Sequence, residues 1–288
     1  MPGERTMSRD DLVKGTERAV GRHYGGRDRL EQTVLAAVDT IAGRVTVRDL
    51  APLDHFHTRG EAATRELAQL VHLDRGLRVL DVGGGIGGAA RLIAGDFGCH
   101  VTVLELTEAY VRLGEELTAR AGLSGQVSFR QGSALDLPFD EGSFDRVLTQ
   151  HMSMNVEDKE KLYTEAWRVL RPEGWLGIHE IVAGPVQPIH VPVPWAGSLE
   201  YSFLRPQMEL RALLRGIGFI EDVWIDETGR ARRWFADRLA SFQSADSARR
   251  VGVHLLLGED YEPMFRNLVR NLEEGRVQVV LAALRKER

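Results

Sequence analysis

The sequence predicts an α/β fold in which a mostly parallel, doubly wound β-sheet is covered by helices on both faces. Between about residues 77 and 182, short apolar runs typical of buried strands alternate with longer runs of helical period. This alternation is typical of parallel sheets with crossover helices. A glycine-rich stretch, LDVGGGIGGAA at residues 80–90, joins the first strand to the helix after it. Ligands of such sheets bind beyond the carboxyl ends of the strands.

The chain is predicted to begin with a helical cap or lid over residues 1–58, followed by the sheet domain over residues 59–288. Within the cap, residues 9–43 carry apolar side chains along one helical face. The proline-containing stretch at 47–60 is predicted to be a connector, and a short helix is predicted over about 61–71.

Five strands are predicted in order along the first part of the sheet domain: LRVLDV, HVTVLEL, VSFRQ, FDRVLTQ and WLGIHEIV. Helices are predicted between them, starting after the glycines, after the second strand and near Lys159. Two amphipathic helices within about 230–276 are predicted to be inserted before a final strand, RVQVVLAALRK, which pairs antiparallel. The proline-rich segment at about 184–205 is predicted to be a further insertion that lines a binding pocket.

Composition and charge narrow the classes of function. The net charge of -5 over 288 residues argues against a nucleic-acid-binding surface. No run approaches the roughly 20 apolar residues of a membrane span, and the N-terminus has no apolar signal-peptide region. Cys99 is the only cysteine, and His55 and His57 have no partner cluster, so no metal site is predicted. We therefore expect a cytoplasmic protein, and its C-terminal surface offers a possible homodimer contact.

The glycine-rich stretch fits two cofactor fingerprints at once. Gly83, Gly85 and Gly88 have the G-x-G-x-x-G spacing of a dinucleotide site. Asp81, Gly83, Gly85 and Gly87 have the D-x-G-x-G-x-G spacing of an S-adenosylmethionine (SAM) site. Either cofactor benefits from glycines, which let a nucleotide approach the backbone, and from the free N–H groups of the next helix.

Of two acidic residues near this stretch, one suits both cofactors and the other favours SAM. Glu105 lies 20 residues beyond Gly85, at the end of the second strand, where both cofactors need an acceptor for ribose hydroxyls. Asp81 suits the positively charged methionine end of SAM, whereas it would repel a pyrophosphate. The sequence also contains no Tyr-x-x-x-Lys pair, which one common class of dehydrogenase requires.

Several segments resemble class I SAM-dependent methyltransferases: VLDVGGGIGG, GSALDLPFDEGSFDRV and RVLRPEGWLGIHE. DHFHTRGEAATRELAQL, LTQHMSMNVEDKEKLY and HVPVPWA resemble, more narrowly, a bacterial subgroup related to sarcosine and dimethylglycine N-methyltransferases. The resemblance implies a seven-stranded Rossmann-like sheet, SAM as cofactor with S-adenosylhomocysteine as product, and a small-molecule acceptor. An amine nitrogen is the first expectation. The alternatives are O- or C-methylation in secondary metabolism, or a biosynthetic cyclase that keeps the SAM fold without methyl transfer.

The same resemblance assigns cofactor roles to particular positions. Asp81 and the glycines at 83, 85 and 87 would line the methionine part, and Glu105 would hold the ribose. Leu106 would contact the adenine face, Ser133 and Ala134 would contact the adenine edge, and Gln150 would complete the set. The family often has Asp at positions 105 and 133. A neutral Ser133 would make a weaker contact to the adenine amino group than a carboxylate.

His151 and Tyr24 are the catalytic candidates. His151 follows the fourth strand at the carboxyl edge of the sheet, where it could serve as a base or as an anchor for the acceptor. The alternative is a hydrogen-bonded histidine that only shapes the pocket. Tyr24, in GRHYGG, resembles the N-terminal tyrosine in the lids of related enzymes, and simple packing at a helix end is the alternative.

Four further residues are candidates for an acceptor pocket: Asn155, His179, His190 and Trp195. Asn155 follows His151 in the same loop. His179 lies beside Glu180 near the end of the fifth strand, where a structural polar pair is the alternative. His190 and Trp195 belong to PIHVPVPWAG, whose prolines favour an irregular, pocket-lining loop.

Overall fold

The computed structural model describes residues 9–26, 29–243 and 251–287. The predicted segments that fall on 1–8, 27–28, 244–250 and 288 lie outside this description. The helices are α1 (Arg9–Gly25), α2 (Leu30–Val38), α3 (Val47–Asp54), α4 (Glu61–Leu70), α5 (Gly88–Phe97), α6 (Glu108–Arg120), α7 (Lys159–Val169), α8 (Gln207–Ile217), α9 (Thr228–Gln243), α10 (His254–Leu257) and α11 (Tyr261–Glu273). The strands are β1 (Arg78–Val82), β2 (His100–Glu105), β3 (Val127–Gln131), β4 (Phe144–Gln150), β5 (Leu170–Ala183), β6 (Phe219–Asp226) and β7 (Val277–Lys286).

The strands form one seven-stranded sheet in the order β3-β2-β1-β4-β5-β7-β6. Strand β7 is antiparallel to both β5 and β6, and the remaining pairs are parallel. The chain order reverses between β1 and β4, so a crevice opens at the carboxyl ends of these central strands. The predicted doubly wound, mostly parallel sheet is confirmed. The helices α9 to α11 do precede the final antiparallel strand.

Apolar side chains cover both faces of the sheet. On one face, α7 and α8 bury Leu162 and Leu214 against β4, β5 and β7. On the other face, α4 and α5 bury Leu67 and Ile93 against β1 and β2. Because the central strands are covered on both sides, they read as continuous apolar runs rather than as alternating ones. The core therefore fixes the carboxyl ends of β1, β2 and β4 at one edge.

The predicted connector at 47–60 is wrong in its first half, which forms the helix α3. Thr46 starts this helix with a capping box: its hydroxyl accepts from the N–H of Asp49, whose carboxylate accepts from the N–H of Thr46. Such a cap supplies partners for N–H groups at the helix start. Pro52 lies inside α3 and had suggested a connector.

Two other features differ from the sequence expectations. The helical pattern over 9–43 is divided between α1 and α2 rather than forming one helix. The helix α8 and the strand β6 were not predicted as separate elements, although the family resemblance required a seventh strand. Among the residues that the structure describes, no helix is both long and apolar enough to cross a membrane.

A buried ion pair joins α3 to the helix that follows the glycine-rich stretch. Arg91 donates to both carboxylate oxygens of Asp54, at 2.5 Å and 3.3 Å, and both side chains are fully buried. Loss of one partner of a buried pair leaves an uncompensated charge. This pair therefore fixes α3, and the segment after it, against the start of α5.

Candidate active site

A cavity of about 510 Å³ opens at the carboxyl ends of β1, β2 and β4, beneath α1. This volume lies within the usual range for small-molecule sites, about 300–1,000 Å³. The predicted residues that line it are Asp81, Gly83, Gly85, Glu105, Leu106, Ser133, Ala134, Gln150, His151, Asn155 and Tyr24. The structure thus brings together residues that are more than 130 positions apart in the sequence.

The glycine-rich stretch adopts backbone conformations that suit glycine. Gly83 and Gly85 have φ values of +69° and +58°, in the left-handed region that other residues rarely adopt. A Cβ atom on Gly83 would lie 2.7 Å from the Cβ of Met152, on the loop after β4. Gly87 does not line the cavity; it precedes α5, and a Cβ there would meet the ring of Phe129. Gly87 is therefore placed for packing.

The carboxylate of Asp81 is buried and incompletely paired. The side chain is 1% exposed, and its Oδ2 atom has no hydrogen-bond partner among the described residues. Burial, and then the nearby charge of Glu105, raise its pKa to about 7. A buried acceptor without a partner is costly. A cationic ligand group in the cavity would supply the missing partner.

Glu105 is held by the backbone around the cavity. Its carboxylate accepts from the N–H of Gly85 at 3.1 Å and from the N–H of Thr107 at 2.9 Å. Burial raises its pKa, and these hydrogen bonds partly oppose that rise. Each carboxylate oxygen can accept more than one bond, so both retain capacity for ligand hydroxyls. Together with the unpaired Oδ2 of Asp81, this set of acceptors fits the cationic and ribose parts of SAM.

Helix α1 closes over the far end of the cavity. The hydroxyl of Ser133 donates to the carboxylate of Glu17, a residue of α1 that also lines the cavity. The backbone N–H of Leu135 donates to the Ser133 hydroxyl at 3.0 Å. A carboxylate from α1 thus lies beside the position at which the family often has Asp, and no pattern in the sequence indicated this contact.

His151 occupies an unusual backbone conformation at the end of β4. Its φ is +50°, and its N–H donates to the carbonyl of His179 at 2.7 Å. Its Nε2 atom lies 3.2 Å from the hydroxyl oxygen of Thr58. Burial, followed by the neighbouring His179 and His57, holds its pKa well below the ordinary histidine value. The imidazole is consequently uncharged near neutral pH. Non-glycine residues in this backbone region are characteristic of functional sites.

Tyr24 links the cap to the loop that carries His151. Its hydroxyl donates to Asn155 Oδ1 at 2.9 Å, and Asn155 Nδ2 donates to the carbonyl of Trp195 at 2.8 Å. Burial raises the pKa of Tyr24 well above its ordinary value, so the phenol stays protonated. The structure thus supports a positioning contact for Tyr24 and a bridging role for Asn155.

A second, smaller cavity adjoins the first and is walled by aromatic side chains. We call it the aromatic chamber, and the Phe, Trp and Tyr side chains that line it are Tyr24, Phe56, Trp195, Trp234, Phe235, Tyr261 and Phe265. Tyr24, Phe56, His57 and His151 line both cavities. The lining of the chamber includes no Asp, Glu, Lys or Arg. Burial lowers the pKa of each of its three histidines: His55, His57 and His151. The chamber is therefore electrically neutral near pH 7.

Two predicted pocket residues do not line either cavity. His190 lies beside Glu274, with 2.8 Å between Nε2 and Oε2, and its backbone N–H donates to Asn271. It therefore fastens the 184–205 segment to α11 instead of facing the site. His179 is fully buried behind His151, at a ring-centroid distance of 4.6 Å. Its neighbour Glu180 accepts from the N–H groups of Met152 and Ser153.

Three residues near the site were not singled out from the sequence: Glu17, Thr58 and Glu227. Glu17 and Glu227 lie far from the glycine-rich stretch and in none of the segments that resemble the family, whereas Thr58 lies in one of them, DHFHTRGEAATRELAQL, but was not assigned a role. Within the described ranges, no group of three or more His, Cys, Asp or Glu side chains is arranged to hold a metal ion.

Comparison with known proteins relates the central part of the chain to a family. Residues 80–178 match the family described as a methyltransferase domain. A glycine/sarcosine/dimethylglycine N-methyltransferase of Actinopolyspora halophila is 36% identical over 43% of this chain and 22% of that protein. A sarcosine/dimethylglycine N-methyltransferase of Halorhodospira halochloris is 29% identical over 66% of this chain and 72% of that protein. The chain therefore spans under a quarter of the first relative's length.

A solved structure extends the comparison to the fold. Geranyl diphosphate C-methyltransferase from Streptomyces coelicolor A3(2), solved with S-adenosyl-L-homocysteine, has a TM-score of 0.67 at 18% identity. The match covers 94% of this chain and 98% of that one. At this identity, the likeness establishes the shared fold. Residues 80–178 are thus similar to a methyltransferase domain, and the chain as a whole shares the fold of a methyltransferase solved with S-adenosyl-L-homocysteine.

Proposed function

We propose that this protein transfers the methyl group of SAM to a small-molecule acceptor, with an amine nitrogen as the first expectation. One observation carries the proposal. His151 lines the large cavity, where the candidate cofactor-binding residues lie, and also the aromatic chamber beside it. A residue shared by two adjoining cavities is placed where a cofactor and an acceptor would meet.

When bound, SAM supplies a methyl group on a sulfonium, which is already an activated leaving group. The protein's part is to bind and orient. Asp81 would pair with the cationic methionine end, and Glu105 would hold the ribose. Correct placement of two reactants can contribute up to about 7–11 kcal/mol to catalysis. Side chains that position the acceptor thus account for most of the expected rate.

An amine nucleophile must be uncharged when it attacks, and it loses a proton in the course of methylation. His151 is, with His57, a neutral imidazole that lines both cavities, and it follows the strand β4 at the sheet edge, where it could act in two ways. As a base, it would remove that proton. As an anchor, it would hold another atom of the acceptor in place.

The surroundings favour an amine with an apolar substituent. Seven of the described Phe, Trp and Tyr side chains wall the chamber, whose volume of about 30 Å³ takes only a small group, and aromatic faces attract a substituted ammonium through cation–π interaction. Arg205 is the only lysine or arginine in the lining of the larger cavity, which holds seven acidic residues. A glycine-like acceptor would bring a carboxylate that meets mainly negative charge. These features support the natural-product amines over glycine or sarcosine.

Purified protein can be incubated with SAM and a matched panel of amines, with S-adenosylhomocysteine as the readout. The panel should pair aromatic amines with glycine, sarcosine and dimethylglycine. We expect turnover with members of the aromatic set and little with the amino acids. Efficient methylation of sarcosine alone would contradict the preference, and absence of product with every acceptor class would contradict the activity.

A further inference from the structure

We infer that the carboxylate of Glu227, acting through the hydrogen-bonded pair of His179 and Thr58, fixes His151 as a hydrogen-bond donor toward the acceptor. The inference rests on the proposed function, because it assigns the role of His151 within it. Two of these three residues were not sequence candidates, and none lines the larger cavity. They act as positioning residues through His151. The acceptor class that follows is a molecule with an oxygen atom placed to accept from this imidazole.

This series of contacts begins at a buried carboxylate whose ionised state is enforced. Glu227, between β6 and α9, has a fully buried side chain. Its Oε1 atom accepts from Arg59 and, at 3.1 Å, from Arg230. Burial opposes ionisation, yet hydrogen bonds from His179 and Arg59 outweigh it and lower the Glu227 pKa to about 2. Glu227 is therefore an anion throughout the physiological range.

The anion sets the position of the proton on His179. Glu227 Oε2 lies 3.4 Å from Nε2 of His179, on β5. An ionised carboxylate can only accept hydrogen bonds, so a lone pair on Nε2 would face a negative oxygen. The stable arrangement places the hydrogen on Nε2. His179 is accordingly the Nε2–H tautomer when it is neutral.

Thr58 couples the tautomer of His179 to that of His151. Its hydroxyl oxygen lies 3.3 Å from His179 Nε2 and 3.2 Å from His151 Nε2, and the described residues give it no other side-chain partner. A hydroxyl has one hydrogen to donate. Since His179 Nε2 already carries a hydrogen, the Thr58 hydrogen has only His151 Nε2 to accept it.

The consequence concerns the other ring nitrogen of His151. Because Nε2 accepts from Thr58, a neutral His151 must carry its hydrogen on Nδ1. Nδ1–H is then the group that an acceptor meets. It cannot donate to a nitrogen whose lone pair is attacking a methyl group, so it must bind a neighbouring oxygen. A hydroxyl, carbonyl or phenolate oxygen near the reacting atom fits this requirement.

Backbone geometry at Arg59 and His151 indicates that the surrounding structure holds these contacts in place. Arg59, which follows Thr58 and holds Glu227, has a φ of +63°, and His151 has a φ of +50°. Both conformations are rare for residues with side chains and persist only when their surroundings enforce them. The strained residues thus flank this series of contacts at both ends.

Nitrogen-15 NMR of the histidine rings tests the inference directly in the ligand-free protein. Long-range proton–nitrogen spectra distinguish the two neutral tautomers, and the spectrum of His151→Asn identifies the His151 signals. We expect Nδ1–H on His151 and Nε2–H on His179 at neutral pH. An Nε2–H tautomer on His151 in the wild-type protein would overturn the inference.

Substitutions then test whether these contacts transmit the effect. In Glu227→Gln, the arginines retain the amide oxygen, so the amide NH₂ should face His179 Nε2 and favour the opposite tautomer there. Through Thr58, the His151 population should move toward Nε2–H, although residue 227 does not touch His151. Glu66→Gln is the matched control, since Glu66 shares Arg59 and Arg230 with Glu227 but has no bond to either histidine. It should leave both tautomers unchanged.

Substitutions at Thr58 provide a second test, which remains valid if Glu227→Gln does not fold. Thr58→Ser keeps the hydroxyl and should keep the wild-type tautomers, whereas Thr58→Val should release His151 from its single tautomer. With a turned-over acceptor, Thr58→Val should lower kcat about tenfold or more while Thr58→Ser stays near wild type. Identical His151 spectra in the Ser and Val variants would refute the relay. If the tautomers of His179 and His151 change together but no acceptor is methylated, the inference would stand and the proposed function would be refuted.

Discussion

The hydroxyl of Ser133 donates a hydrogen bond to the carboxylate of Glu17, which ties α1 to the loop after β3 at one end of the large cavity. Position 133 carries an uncharged residue, and its hydroxyl meets a carboxylate from a helix 116 residues earlier. The cap thus places a carboxylate at the end of the cavity where the family resemblance assigns the adenine edge.

The first prediction follows from this contact. Glu17→Ala should weaken SAM binding by about 1.5–3 kcal/mol, the range for a hydrogen bond to a charged group. Isothermal titration calorimetry measures the change, and Glu17→Gln, which keeps an acceptor oxygen, should lose less. Equal affinities for wild type and Glu17→Ala would remove Glu17 from the cofactor site.

Glu105 should matter for the cofactor at the ribose. Replacing it with Ala leaves two ligand hydroxyls and the N–H groups of Gly85 and Thr107 without their acceptor. We expect SAM affinity to fall by about 1.5–3 kcal/mol. Calorimetry gives the affinity, and thermal unfolding of the free variant checks that the loop still folds. Unchanged affinity in a folded variant would mean that the ribose is held elsewhere.

The raised pKa of Asp81, about 7, makes SAM binding depend on pH. Below that pH the carboxylate is protonated in the free protein, so binding a cation there must also release a proton. Affinity should therefore fall as pH drops from 8 to 6, by up to about tenfold per pH unit below the pKa. Asp81→Asn should bind more weakly and lose this pH dependence. A pH-independent wild-type affinity over the same range would contradict the assignment.

His151 should affect transfer but not cofactor binding. His151→Ala should lower kcat by at least about tenfold, whereas SAM affinity should change little. His151→Asn should recover part of the rate, since its amide NH₂ can donate where the Nδ1–H of the histidine does. Steady-state kinetics with the best acceptor of the panel provides the comparison. Wild-type turnover by His151→Ala would leave proximity alone as the source of the rate.

The aromatic chamber should govern the acceptor and not the cofactor. Trp234→Ala removes one wall of the chamber. It should raise KM for an aromatic amine, because it removes a cation–π contact of roughly 0.5–2 kcal/mol and the burial that goes with it. Affinity for SAM, which is measured separately, should remain at the wild-type value. Acceptor KM values that do not respond to this substitution would place the acceptor outside the chamber.

Local sequence patterns predicted the glycine-rich turn and six of the seven strands that the structure describes, all but β6. Alternating strands and helices depend on hydrophobic period, and Asp81, Gly83 and Glu105 follow a spacing that fixed geometry requires. The helix α3 was missed because Pro52 outweighed the capping box of Thr46 and Asp49, which uses only side chains near the helix start. A Thr-x-x-Asp pattern was the signal that could have revealed it.

The residues behind His151, which contact it or His179, could not be predicted in the same way. Glu227 lies 48 residues after His179 in sequence and meets it only because β7 places β6 near β5. Thr58 joins two histidines through the packing of the segment before α4, and no spacing rule describes that contact. Residues that act through tertiary packing leave no local pattern, so their roles appear only when the strands are assembled.

The measurement that tests the central claim most directly uses SAM labelled with a trideuteromethyl group. The purified protein is incubated with the labelled SAM and the amine panel, and the molecular masses of the products are measured by mass spectrometry. The account predicts an acceptor that gains one labelled methyl group, with an equal amount of S-adenosylhomocysteine. A ligand that is rearranged without gaining the label, and without S-adenosylhomocysteine, would show that the protein uses the methyltransferase fold for a different reaction.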